Sequence, residues 1–284
     1  MRQLLADEKI ELPLTSKASI RVYADCRPHA FQTRKLQKGG VLVVNGRELV
    51  EEGLGFGFPV CLYEDGARFS LSALTFVDDS KGSPSVTKIY DMNAIESKRF
   101  RGTLIRRDSS WARLLRTLEK AYRGARRLHV GASMMLDIVS MLGLRNDYVE
   151  CGSKGHVSVR YERDDGALEL TMNFEHLAPD HLLGLMVGNE QGGAMFTEYS
   201  DPIVHIKGRE IEPWRPIPVD WAKLGCPEFG VSFNLRRPDG WRIIRGREEV
   251  ENRVSWSGLN LMCDGVPSSG VLRYNVEILE SALT

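Results

Sequence analysis

The stretch from His156 to Glu175 alternates apolar and polar residues on both sides of the dipeptide Asp165-Gly166. Asx-Gly is the pair a type I′ turn asks for, because both central residues take positive φ. With that pair at the tip, one register follows. Tyr161 meets Leu170, Val159 meets Met172 and Val157 meets Phe174 on one face. Glu162 meets Glu169, Arg160 meets Thr171, Ser158 meets Asn173 and His156 meets Glu175 on the other. One face is apolar and the other polar, so a slip of one residue would turn the apolar set to solvent.

The same signal recurs at Asn45-Gly46, Asp65-Gly66, Asp239-Gly240 and Asp264-Gly265, and each instance predicts a hairpin. Around Asn45-Gly46, Leu42 falls opposite Leu49 and Val41 opposite Val50. Around Asp65-Gly66, Leu62 falls opposite Phe69, Val60 opposite Leu71 and Phe58 opposite Ala73. The alternation at Asp239-Gly240 is less regular, and Asp264-Gly265 precedes a terminal strand, VLRYNVEIL. Short strands with one apolar face, joined by tight turns, predict antiparallel sheets packed face to face. In Gly53-Leu54-Gly55-Phe56-Gly57 the alternate glycines predict close approach of a backbone, a ring or a ligand.

One segment changes period. Asp108 can cap a helix over 109–123, with Trp111, Leu114, Leu115, Leu118 and Tyr122 on one side. A shorter helix follows near 133–142. The expected fold is therefore mainly β: an antiparallel β-sandwich, or a large double sandwich, with a two-helix segment near residues 108–142. It reads as one large domain over 1–284, divisible into an N-terminal β half (1–100), the helical segment and a C-terminal β half (148–284). Size and hairpin richness resemble the large sandwiches of the mutarotase-like and polysaccharide-lyase type. No motif of those families matches a position here, so the resemblance carries no residues over.

Composition adds bounds. A chain of 284 residues, 42% apolar and 27% charged, can bury a sizeable core without staples. Five cysteines, odd in number and widely spaced, do not form a disulfide framework. With no apolar leader at residues 1–14 and no run long enough for a membrane span, the expected location is cytoplasmic, without membrane association. Net charge is zero, but residues 98–127 hold eleven Lys or Arg against Asp108 and Glu119. On the first predicted helix Arg113, Arg116, Lys120, Arg123 and Arg127 form a cationic stripe opposite the apolar side. Such a stripe is either a solvated face or a docking site for nucleic acid or an acidic polysaccharide.

The candidate chemistry centres on the hairpin. A carboxylate opposite His156 would orient the imidazole for acid–base work, so His156 and Glu175 are the candidate catalytic residues. Arg160, Asn173 and His176 are the candidate ligand contacts. The same pattern also describes an ordinary solvated sheet face, and both readings stay open. His156, His176 and His181 lack the spacing of a shared-face metal pair, and Cys26-x2-His29 has no matching half, so no metal is expected. No Walker, Rossmann, nucleophile-elbow or HExxH motif occurs, and no cofactor is expected. Trp214, Trp221, Trp241 and Trp256 crowd the C-terminal half, where exposed rings would suit sugar stacking. The expected function is acid–base enzymology on a carbohydrate-like or other polar or anionic small molecule bound on a sheet face. The alternative is a non-enzymatic polyanion binder using residues 109–127.

Overall fold

The computed structural model describes residues 1–24, 27–29, 32–36, 38–50, 53–64, 68–80, 82, 84–100, 103–104, 144–250 and 254–280. The predicted helices, and with them Arg113, Arg116, Lys120, Arg123 and Arg127, lie outside these residues. What is described is mainly β and antiparallel throughout. In chain order the strands begin with β1 (Arg2–Gln3), β2 (Lys9–Pro13), β3 (Ala18–Tyr23), β4 (Arg27–His29), β5 (Gln32–Leu36), β6 (Val41–Val44) and β7 (Arg47–Glu48). There follow β8 (Gly55–Tyr63), β9 (Arg68–Asp78), β10 (Ser85–Phe100), β11 (Thr103–Leu104), β12 (Leu144–Asp164), β13 (Ala167–Asn173) and β14 (Leu182–Gly192). The last are β15 (Glu198–Ser200), β16 (His205–Lys207), β17 (Arg215–Ile217), β18 (Trp221–Cys226), β19 (Val231–Arg236), β20 (Arg242–Val250), β21 (Val254–Asp264) and β22 (Val271–Glu280).

An eleven-stranded sheet runs in the order β1-β9-β10-β12-β13-β22-β19-β18-β15-β16, with β11 paired to β10. A five-stranded sheet, β17-β20-β21-β14-β8, faces it. Phe56 and Phe58 of β8 meet Phe233 of β19 and Tyr90 of β10 edge to face, 5.1 and 5.8 Å between ring centroids. A four-stranded sheet, β2-β3-β6-β7, adds Leu12, Ile20, Val22 and Leu42 to the same core. Both large sheets draw strands from either side of residues 105–143.

The hairpin at Asp165-Gly166 forms as its alternation predicts. Asp165 (φ 41°) and Gly166 (φ 83°) make the turn, and the ladder pairs Tyr161 with Leu170, Val159 with Met172 and Ser158 with Asn173. Val157, Val159, Tyr161, Leu168, Leu170 and Met172 are all fully buried. At about 1.5–3 kcal/mol for each large apolar side chain, a one-residue slip here would be prohibitive. Asn45-Gly46 is the second true hairpin, with Val44 opposite Arg47 and Val43 opposite Glu48. That register continues to Leu49, whose N–H donates to the Leu42 carbonyl.

The hairpin expected at Asp65-Gly66 does not form. β8 and β9, on either side of it, belong to different sheets: β8 pairs with β14, and β9 with β10 and β1. The residues of β8 from Gly55 to Pro59 are buried, which a two-stranded excursion with one wet face cannot satisfy. Pro59, which has no N–H, sits on this edge strand. The chain likewise passes between sheets at Asp239-Gly240, from β19 to β20, and at Asp264-Gly265, from β21 to β22. Asp239-Gly240 and Asp264-Gly265 thus lie between sheets rather than in hairpins, while Asp65-Gly66 itself falls outside the described residues.

The glycine run serves packing. A Cβ on Gly53 would lie 2.7 Å from the Glu190 carbonyl oxygen, and one on Gly55 would lie 2.8 Å from the Gly40 carbonyl oxygen. Gly57 (φ +74°) lies directly on the hairpin's inner face, where a Cβ would come within 2.5 Å of Leu170 Cδ2. Gly240 (φ +78°) has similar backbone geometry but open space around it. We expect Gly57→Ala to lower unfolding free energy by about 2–4 kcal/mol, and Gly240→Ala by about 1 kcal/mol from backbone strain alone. Urea denaturation of the two variants checks this, and equal losses would contradict the tight contact.

Candidate functional site

The outer face of the eleven-stranded sheet carries the polar half of the hairpin. Its residues stand in rows set by the ladder. One row reads Thr87, Arg160, Thr171, Arg273, and the next continues from Glu162 through Glu169 to Asn275. His156, Ser158, Arg160 and Asn173 are half-buried on this face, while Glu175 and His176 are exposed.

The ladder loses its expected register at the open end of the hairpin. β13 stops at Asn173, whose side chain closes on Glu175: the Glu175 N–H donates to Asn173 Oδ1 (2.8 Å), and Asn173 Nδ2 donates to Glu175 Oε2 (3.0 Å). Beyond it Gly155 bridges Leu177, and the His156 N–H donates to the His176 carbonyl (3.4 Å). Gly155 takes φ +94°, and a Cβ there would collide with the His176 carbonyl oxygen at 1.9 Å. His156 therefore stacks on the His176 ring, 4.5 Å between centroids, instead of facing Glu175. The carboxylate opposite His156 is Asp91 of β10, which accepts a hydrogen bond from Ser72 Oγ at 3.2 Å.

Arg160 is held by its own strand. Its Nη2 donates to Glu162 Oε1 (2.6 Å) and to Ser85 Oγ (3.4 Å). It also lies four residues from His156, about 13 Å along a strand. His156, Glu175, Arg160, Asn173 and His176 thus share one sheet face, but Arg160 stands apart from His156 and has Asn173 diagonal to it across the ladder. His181, at positive φ, contacts Glu64 Oε2 at 3.0 Å, apart from the two stacked histidines. Among the described residues no three His, Cys, Asp or Glu side chains gather as a metal site. Cys61, Cys226 and Cys263 are buried free thiols, and burial pushes Cys61 up to about 12.

Two features that local pattern did not signal stand out. The first is a cleft of about 420 Å³ on the outer face, between Arg236 and Arg237 at the end of β19, Arg273 and Asn275 of β22, and Glu169 of β13. Arg237 pairs with Asp220 (2.5 Å), and Glu277 accepts from Asn234 Nδ2 (2.9 Å). Arg236 and Arg273 are exposed and make no hydrogen bond or ion pair among the described residues. Trp221 stands across the ladder from Arg236 and is 36% exposed, whereas Trp241 is buried. A smaller cleft of about 320 Å³ shares Arg273 and Pro238 and continues toward Asp264 and Ser269.

The second is Glu190 on β14, which is 7% exposed. Asn260 Nδ2 donates to its Oε1 at 3.1 Å, and the Leu54 backbone N–H reaches it as well. Burial pushes its carboxyl up to about 7 against the pull of those two hydrogen bonds. A carboxyl poised there has the acidity acid–base work needs, but it lines neither cleft. Comparison of the chain with protein-family models and with curated proteins gives no match. Among the described residues, no helix is long and apolar enough to cross a membrane.

Glu190 makes stability pH-dependent. Its folded-state value lies above the ordinary 4.5, so between pH 4.5 and about 7 the folded chain binds more protons than the unfolded chain. Stability from this group is therefore greatest below pH 4.5 and is lost as pH rises through 7, by on the order of 3 kcal/mol. Glu190→Gln keeps the shape without the charge. The variant should match the wild type in urea at acid pH and exceed it at mildly alkaline pH.

Proposed function

We propose that the protein binds a small carbohydrate-like acid, bearing a carboxylate or phosphate, in the cleft on the outer face of the eleven-stranded sheet. One observation carries this reading: Arg236 and Arg273, neither with a partner among the described residues, converge on the same cleft. Guanidinium groups free of partners can each offer two parallel N–H donors to an oxyanion. Glu169 and Glu277 line the same cleft and suit sugar hydroxyls, which donate to carboxylates. Trp221 beside Arg236 offers a ring against which a sugar face can lie.

Calorimetric titration with glucuronate and with glucose 6-phosphate tests this and separates carboxylate from phosphate. Arg236→Ala and Arg273→Ala should each weaken binding about tenfold or more, the loss expected for a charge-assisted hydrogen bond. Arg242→Ala, which removes a surface pair with Asp264 away from this cleft, should leave affinity unchanged. Absence of binding to either compound, or unaltered binding by the double variant, would refute the reading.

A catalytic role for His156 rests on a separate feature, the imidazole stacked on His176 with Asp91 across the ladder. In this reading Asp91 takes the orienting part first given to Glu175. If a substrate is turned over, Asp91→Asn should lower kcat more than it changes KM, while Glu175→Gln should have little effect. The reverse order would restore the His156–Glu175 pairing.

A further inference from the structure

Arg245 on β20 is 1% exposed and points into the space between the two large sheets, its guanidinium 4.6 Å from the centroid of the Tyr199 ring. Among the described residues its Nε and Nη2 have no hydrogen-bond partner, although the Tyr199 hydroxyl and the Asp201 carboxylate offset part of its charge. These two nitrogens form one edge of the guanidinium, the edge that meets carboxylates and phosphates with two parallel hydrogen bonds. The nearby acid is already committed. Asp201 Oδ2 accepts the Tyr199 hydroxyl, and its Oδ1 accepts the N–H groups of Ile203 (2.7 Å) and Val204 (2.9 Å).

The surrounding charge also favours an anion. Arg215 stands directly opposite Arg245 on β17. Arg247, two residues along β20, is fully occupied by Glu212 (3.0 Å), Glu249 (3.1 Å) and the Gly193 carbonyl (3.3 Å). Two strands further into the sheet, in register with Arg247 and Ser257, lies Gln191, 0% exposed with both amide atoms unpartnered among the described residues. Buried donors left without an acceptor are costly, and such unsatisfied groups are uncommon in folded proteins.

We propose that Arg245 anchors an internal site for a small oxoanion, a carboxylate or phosphate group, between the two sheets. β17 is the edge of the five-stranded sheet, and β15 and β16 end the eleven-stranded one. Arg245 is therefore one strand in from the sheet edge. The anion accepts from Nε and Nη2. This site is separate from the cleft of Arg236 and Arg273.

The test is thermal unfolding of the full chain in chloride buffer, with inorganic phosphate or acetate added at constant ionic strength. The wild type should gain several degrees with one or both anions, and the better of the two identifies the ligand class. Arg245→Met, which keeps volume and removes charge, should show a smaller gain, limited to what the Arg236–Arg273 cleft supplies, and should melt at or above the wild type in chloride alone. No gain with either anion, or an equal gain in Arg245→Met, would overturn the proposal. Should that variant fail to fold, equilibrium dialysis of Arg236→Ala/Arg273→Ala with labelled phosphate and acetate decides. One anion retained per chain is expected, and none retained overturns the site.

Discussion

Asp165 and Gly166 hold the left-handed conformations of a type I′ turn, and that turn fixes which face of β12 and β13 meets the core. The parity passes by ladder pairing to β10 and β22, so Val86, Tyr90 and Val276 point inward with Tyr161 and Leu168, while Thr87 and Arg273 point outward with Arg160 and Thr171. β8 then rests on the inward face so closely that Gly57 has no room for a methyl group. A shift of one residue at the turn would place a row of arginines and glutamates against β8. Core and cleft are thus two consequences of one local geometry.

The interior is not wholly apolar, and how its polar groups are met separates structure from binding. Tyr161 donates to the Phe56 carbonyl (3.2 Å), Tyr90 to the Lys38 carbonyl (3.0 Å) and Tyr274 to Asn189 Oδ1 (2.9 Å). Lys88, fully buried, donates to the carbonyls of Lys38 (2.8 Å) and Tyr23 (3.1 Å). These bonds stitch the eleven-stranded sheet to the segments covering it. Leaving any of them unmade would cost about 1–3 kcal/mol. Arg245 and Gln191 leave that pattern incomplete, as do Thr75 Oγ1, Asn234 Oδ1 and Arg160 Nε, and Arg245 alone does so with a whole guanidinium edge.

What could be read from the sequence follows the range of the interaction. The hairpin at Asp165-Gly166 was legible because its turn and its alternation lie within twenty residues. The Asp65-Gly66 pair misled because an Asx-Gly turn reports a reversal of direction and not whether the returning strand rejoins the same sheet. The glycines at 53, 55 and 57 signalled close approach, but not that Glu190, Gly40 and the hairpin would be what approaches. For the site, local register placed Glu175 opposite His156, and the Asn173 side chain ends β13 before that pairing forms. Asp91 comes from a strand joined only across the long segment 101–143, so nothing near His156 announced it. Arg236 and Arg273 likewise meet through the pairing of β19 with β22, which alternation alone does not specify.

The face that the turn directs outward is the one on which two partnerless arginines, two carboxylates and an exposed tryptophan stand together. The proposed function rests on location: in that proposal an oxyanion is held there and not by the arginines spent on ion pairs elsewhere. The most direct measurement is an NMR titration of the arginine side-chain Nε–Hε resonances with glucuronate or glucose 6-phosphate. The account predicts that Arg236 and Arg273 move together and saturate, while Arg160, bound to Glu162, and Arg242, bound to Asp264, stay in place. Uniform small shifts across all four, or movement of Arg160 without Arg273, would contradict it.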